Sequence, residues 1–293
     1  MKIKILLRTF FSLGAIFGLV ALAHAQNLYV SVNGPLGPSN SNGSISEYTP
    51  TGVQTTFASG IPRPRGLAFD AVGNLDAAIS ALVDDHFIGK VVEFNPRRRA
   101  TPIGAASLGN VNFEGIATDA VGNVYVLDSS DTIFKFVPGV SRSVFGRVTG
   151  QGFGLAFDSA GNLYAADFGD ATIYKFAPDG TRTVFAGPEA FAEDSSPVGL
   201  AFNSSGNLFC STEGDPGNDS ILVFAPDGSE STFATGLTQP RGLAFDAAGN
   251  LFVAETRGAP LGDILKFAPG GGSPTVFASG IARPEFLTFG PPQ

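Results

Sequence analysis

A fourteen-residue string returns along this chain about every 45 residues, and no other feature restricts the fold as strongly. It reads GLAFDAAGNLFVAE at 242–255, GLAFDAVGNLDAAI at 66–79 and GIATDAVGNVYVLD at 115–128, then GLAFDSAGNLYAAD at 154–167 and GLAFNSSGNLFCST at 199–212. Each copy is two short apolar runs around a tight turn. The glycine of the turn supplies positive φ, and the Asp or Asn that opens it can bond the backbone two residues on.

A second motif follows each hairpin: ISEYTP (45–50), VVEFNP (91–96), IFKFVP (133–138), IYKFAP (173–178), ILVFAP (221–226) and ILKFAP (264–269). Pro and Gly turns then lead into a fourth run such as TVFASG, which is degenerate in the copy starting at Gly66 (TPIGAA). Four antiparallel strands per 45-residue unit, with no helical periodicity, predict an all-β, six-bladed β-propeller with strands a to d counted outward from the axis. The N-terminal unit lacks strand a, whereas the C-terminal FLTFG (286–290) is a strand a with nothing after it. Strand 286–290 is therefore expected to close the ring by pairing with the N-terminal blade, residues 27–60, and so to hide an exposed sheet edge.

Residues 1–25 read as a cleavable signal peptide. Lys2, Lys4 and Arg8 precede a short apolar stretch, and Ala23-His24-Ala25 fits a cleavage site. The expected mature domain, 26–293, is secreted or periplasmic, has no membrane anchor and is monomeric. It carries 15 basic and 26 acidic residues, a net charge of −11, which argues against nucleic acid as a partner. Cys210 is the only cysteine, so no internal disulfide forms, and its strand pattern marks a buried inert thiol. With 27 Phe and no Trp, the sheets can be packed by rings that carry no polar atom.

In a propeller the d-to-a connections and b–c loops gather on one face. Here they are long and variable, and function on a rigid scaffold sits in such loops. Just before strand a stand Arg65, Glu114, Phe153, Val198, Arg241 and Glu285. These unlike residues either neutralise one another around a narrow mouth or form a polar binding site. Asp128, Asp167 and Glu255 close strand b in three copies, with Glu213 displaced by one. They either accept N–H bonds from their own loops or, with Glu114, hold a divalent cation such as Ca²⁺ through oxygen ligands. His86, in the loop ALVDDHFIGK, is a further ligand-binding candidate or a solvated tip. Asp76 stands where other copies carry an aromatic, and is expected near an open edge or paired with one of Arg97 to Arg99.

The pattern GLAFDxxGNLYVAD…IxKFxPDG over residues 27–290 resembles the NHL-repeat type of six-bladed propeller. It is similar too to the group holding gluconolactonase-like proteins and streptogramin lyases. That resemblance implies either a binding module or an enzyme. The gluconolactonase-like proteins hold a divalent metal with Glu, Asn and Asp; Glu114 and Asp128 match the acidic pair, while no strand-a entry carries the Asn. The streptogramin lyases rely on histidine, and beyond residue 25 only His86 is present. The expected function is binding of a small molecule, glycan or protein at the channel mouth; the alternative is a metal-dependent hydrolase or lactonase.

Overall fold

The computed structural model describes residues 25–34, 42–105, 111–215, 217, 219–256 and 261–292. The signal-peptide assignment thus falls outside the described residues except at Ala25. Six four-stranded antiparallel sheets are arranged as blades. Blade 1 joins strand a (Pro284–Phe289) to strands b to d (Leu28–Val32, Gly43–Tyr48 and Gln54–Ile61). Blade 2 consists of Pro64–Phe69, Leu75–Val83, His86–Phe94 and Ala100–Ala105. Blades 3 to 6 run over 113–147, 152–186, 195–235 and 240–281. The closing strand begins two residues earlier than the repeat suggests, and pairs antiparallel through Leu28↔Phe289, Tyr29↔Thr288 and Val30↔Leu287. The degenerate run at 100–105 still pairs as strand d of blade 2.

The turn residues do what their chemistry dictates. Asp246 Oδ1 accepts the N–H groups of Ala248 and Asn250, and Oδ2 accepts from the Asn250 amide. The same bonds form at Asp70, Asp119 and Asp158. This is the Asx-turn geometry, with glycine at φ +81 to +87° two residues before the hairpin's second strand in these copies.

The core is divided into six apolar clusters, one at each junction between neighbouring blades. At five junctions three aromatic rings meet: the strand-b ring, strand d of the same blade, and strand a of the next. They are Tyr29 with Phe57 and Phe69, Tyr125 with Phe145 and Phe157, Tyr164 with Phe185 and Phe202, Phe209 with Phe233 and Phe245, and Phe252 with Phe277 and Phe289. Centroids lie 4.8–5.2 Å apart with planes at 70–86°, the edge-to-face arrangement that ring quadrupoles favour. A strand-c lysine caps three of these rings from 5.2–5.3 Å, as Lys135, Lys175 and Lys266.

The junction of blades 2 and 3 departs from this plan, with Asp76, Ile103 and Thr118 in the three ring positions and Glu93 in the lysine position. Asp76 is 1 % exposed, and its Oδ1 has no hydrogen-bond partner. It is therefore neither at an open edge nor paired with Arg97 to Arg99. Arg98 turns instead to blade 1, where it binds Glu47 at 2.6 Å and lies over Phe57. Burial, reinforced by the charges of Glu93 and Asp70, pushes Asp76 up to about 8, so it holds its proton at neutral pH.

Strand a carries glycine in its third or a neighbouring position because the inner strands crowd the axis. A Cβ on Gly115 would collide with the Phe153 carbonyl, and one on Gly199 with the Arg241 carbonyl. Blade 1 has Phe286 in this position, half-buried and lining the channel. The channel holds a chamber of about 300 Å³ between the inner strands, bordered by Phe69, Thr118, Phe157 and Thr288 towards the turn face.

Candidate functional site

At the other end of the channel the structure brings four of the six rim residues into one network. Glu285 is its centre. Oε2 lies 2.7 Å from Arg65 Nη1 and 3.2 Å from Arg241 Nη1, while Oε1 accepts from Asn33 Nδ2 at 3.2 Å and Arg283 Nη2 at 3.5 Å. Arg65 Nε also faces Glu114 Oε2 at 3.2 Å, and Arg241 Nη2 faces Glu213 Oε2 at 3.3 Å. The Arg65–Glu114 contact is a charge pair without hydrogen-bond geometry, since neither atom has a hydrogen-bond partner. Phe153 lies 5.9 Å below the Arg241 guanidinium and packs on Phe168, whereas Val198 is fully buried.

Burial and charge set the protonation of this ring. Burial alone would raise Glu285, yet the charges of Arg65, Arg241 and Arg283 outweigh it and hold its carboxyl below the ordinary value. Glu114 is raised by burial, which Arg65 only partly offsets, and Glu213 is raised by burial against the pull of Arg241. Arg65, though buried, is held more firmly protonated by Glu114 and Glu285. The mouth thus contains one carboxylate fixed as an anion and two that hold their protons more tightly.

The acids that close strand b are used differently. Asp128 Oδ1 accepts the N–H groups of Ser130 and Thr132 in its own b–c loop. Asp167 Oδ2 binds the N–H groups of Thr149 and Gly150, and a Glu255 oxygen takes that of Thr238, so both reach back to their blade's d-to-a connection. Asp128 is nonetheless raised, because burial outweighs those bonds. Among the described residues no three His, Cys, Asp or Glu side chains are placed to hold a metal ion. Glu114, Asp128, Asp167 and Glu255 are therefore not brought to a common point.

His86 sits exposed at the tip of a long hairpin in blade 2, paired with Val83 across the two-residue turn Asp84-Asp85. Both turn residues have positive φ, 47° and 62°, as a tight primed hairpin turn requires. At its neighbour Phe87 the Arg63 guanidinium stands 4.6 Å over the ring.

Comparison of the six copies at one position alone misses Arg63, Arg283 and Asn33. The signal for the arginines was present two residues before the rim: Arg63-Pro64-Arg65, Gln239-Pro240-Arg241 and Arg283-Pro284-Glu285 are one motif in three adjacent blades. Its first residue takes positive φ each time, at 40°, 52° and 57°, which non-glycine residues seldom adopt. The prolines lock this shape, Pro64 against Gly43 and Pro284 against Gly262, where a Cβ would have no room.

No sequence-family model and no curated protein matches the chain. Solved structures do match by fold. One is a virginiamycin B lyase from Staphylococcus aureus crystallised with quinupristin, with TM-score 0.63, 13 % identity, and coverage of 88 % of this chain and 86 % of that one. A gluconolactonase-like protein gives TM-score 0.56 and 16 % identity over 78 % of this chain and 81 % of its own. TolB from Acinetobacter baumannii gives TM-score 0.70 and 10 % identity over 91 % and 67 %. At such identities only the architecture is shared: the chain is a six-bladed β-propeller of the kind found in streptogramin B lyases, gluconolactonase-like proteins and NHL-type repeats.

Proposed function

We propose that this propeller is an exported binding module that recognises a small molecule or a glycan at the mouth of its channel, on the face of the long loops. One observation carries the reading. Glu285, 1 % exposed, gathers three arginines and an asparagine from blades 1, 2 and 6, although repeat architecture requires no such network and buried charges are costly to maintain. At the same mouth Asn33 Oδ1 and Arg241 Nε are buried without a hydrogen-bond partner, while Arg65 Nε and Glu114 Oε2 meet each other as a charge pair without hydrogen-bond geometry. Polar groups left unsatisfied in a concave, rigid setting are what a polar ligand completes.

Export rests on the N-terminal sequence. Among the described residues no helix is long and apolar enough to cross a membrane. The fold neighbours include enzymes, but the mouth is dominated by arginine–carboxylate pairs, which supports recognition over hydrolysis.

A melting-temperature screen of polar small molecules and oligosaccharides tests the reading, because a ligand bound only by the folded state must stabilise it. Stabilising compounds should lose their effect in Arg241→Gln and keep it in Asp246→Ala, on the turn face. Compounds that stabilise both variants equally, or no stabilising compound at all, would contradict the reading.

A further inference from the structure

The two sides of the mouth are not electrostatically alike. Towards blades 5 and 6, Arg241 faces Glu213, with Asp219 beyond it accepting the N–H groups of Gly214 and Gln239. Towards blades 1 to 3, the carboxylates acting most strongly on Arg63, Arg65 and Arg283 among the described residues are Glu114 and Glu285. Glu285 is already saturated by Arg65, Arg241 and Asn33, so Arg283 reaches it at only 3.5 Å and keeps 26 % of its side chain exposed. Among the described residues Arg63 makes no ion pair, and its guanidinium stands over the Phe87 ring. Burial lowers its pKa, and Arg65 and Arg283 repel it further.

We infer that Arg63 and Arg283 form a subsite for a singly charged organic anion, a carboxylate, at the arginine side of the mouth. This rests on the reading of the mouth as the binding site and adds the ligand's chemical class. Both residues occupy the first position of the same Arg-Pro-x motif in adjacent blades, at φ 40° and 57°. The same backbone recurs at Gln239, φ 52°, and so belongs to the X-Pro-x turn; what needs a separate reason is that two adjacent blades place a long cationic side chain on it. A guanidinium presents a planar fork that matches a carboxylate through two parallel N–H···O bonds. Phe87 under Arg63 keeps one guanidinium in place and excludes water from one side of it.

The charge count selects a monoanion. Counted over the whole mouth, Arg63, Arg65, Arg241 and Arg283 against Glu114, Glu213 and Glu285 leave one positive charge. A dianion would overshoot it beside the buried Glu114 and Glu285.

The test uses the full-length mature chain, with benzoate, benzamide and inorganic phosphate as probes at constant ionic strength, followed by calorimetric titration and by melting. Benzoate should bind saturably and at least tenfold more tightly than benzamide, which keeps the ring and removes the charge, and no less tightly than phosphate. Arg63→Gln and Arg283→Gln should each weaken benzoate tenfold or more. If Arg63→Gln fails to fold, Arg63→Lys, which keeps the charge but removes the fork, should still weaken binding severalfold. Equal binding of benzoate and benzamide, preference for phosphate, no benzoate binding, or undiminished binding by the Arg63 and Arg283 variants would each overturn the inference. Neutral compounds that bind in an Arg241-dependent way without any carboxylate preference would overturn it while leaving the mouth as the binding site. Failure of both classes to depend on rim residues would remove the underlying reading as well.

Discussion

The two faces of the propeller are built by opposite rules. On the turn face, the same aspartate closes the same turn with the same three hydrogen bonds in four blades. On the loop face, six equivalent rim positions carry Arg, Glu, Phe, Val, Arg and Glu, and four of these join one network around Glu285. Repetition serves the fold, where each blade must solve the same packing problem. Departure from repetition needs a different cause, and at the mouth it creates a network that spans blades far apart in sequence. Asp76 shows that departure is not confined to that face: it interrupts the aromatic series from within blade 2.

The largest expected effect belongs to ring closure. Deleting residues 284–293 removes the strand that completes blade 1 and exposes the inner edge of Leu28–Val32, so cooperative melting should disappear. A truncated protein that melts like the intact chain would refute ring closure. Next, Glu285→Ala leaves Arg65 buried beside its remaining partner Glu114, and should cost about 3–5 kcal/mol in urea unfolding; a loss below 1 kcal/mol would show that the network is not a structural centre.

Asp76 predicts a pH dependence. Its folded-state pKa, about 8, is raised above that of an unfolded Asp, so the unfolded chain gives up the proton first. The stability this group allows is complete below the unfolded value, near 4, and is lost as pH rises towards 8. Relative to Asp76→Asn, the native chain should therefore weaken by about 1.4 kcal/mol per pH unit at most, between roughly pH 4 and 8, and level off above. A constant gap across that range would mean that Asp76 ionises normally. The smallest effect belongs to the turn face: Asp246→Ala loses its three turn bonds and should cost about 1–2 kcal/mol, with ligand binding at the mouth unchanged.

Much of the architecture was legible because a repeat states the same instruction several times. The Asp…Gly-Asn turn, the aromatic-x-Pro strand ends and the orphan FLTFG were enough to give six blades and the closure. The site was legible only in outline. Arg65, Glu114, Arg241 and Glu285 stood out as unlike residues in equivalent positions, but which of them meet depends on curvature that no single repeat encodes. Glu213 joins Arg241 from the end of strand b in the preceding blade, and Phe87 arrives through a hairpin that extends beyond its neighbours. Asp76 could be seen as an exception, yet its burial follows from the blade packed over it, not from its own strand. Asp128, Asp167 and Glu255 illustrate the converse, since recurring acids at strand ends prove to be receivers of loop N–H groups.

The central claim, that ligand recognition lies in the arginine–carboxylate mouth, is tested most directly by hydrogen exchange with and without a stabilising compound. Exchange should slow at residues 62–66, 112–115, 239–242 and 283–286, with turns 70–74 and 246–250 unchanged. Protection of those turns, with the mouth unaffected, would contradict it.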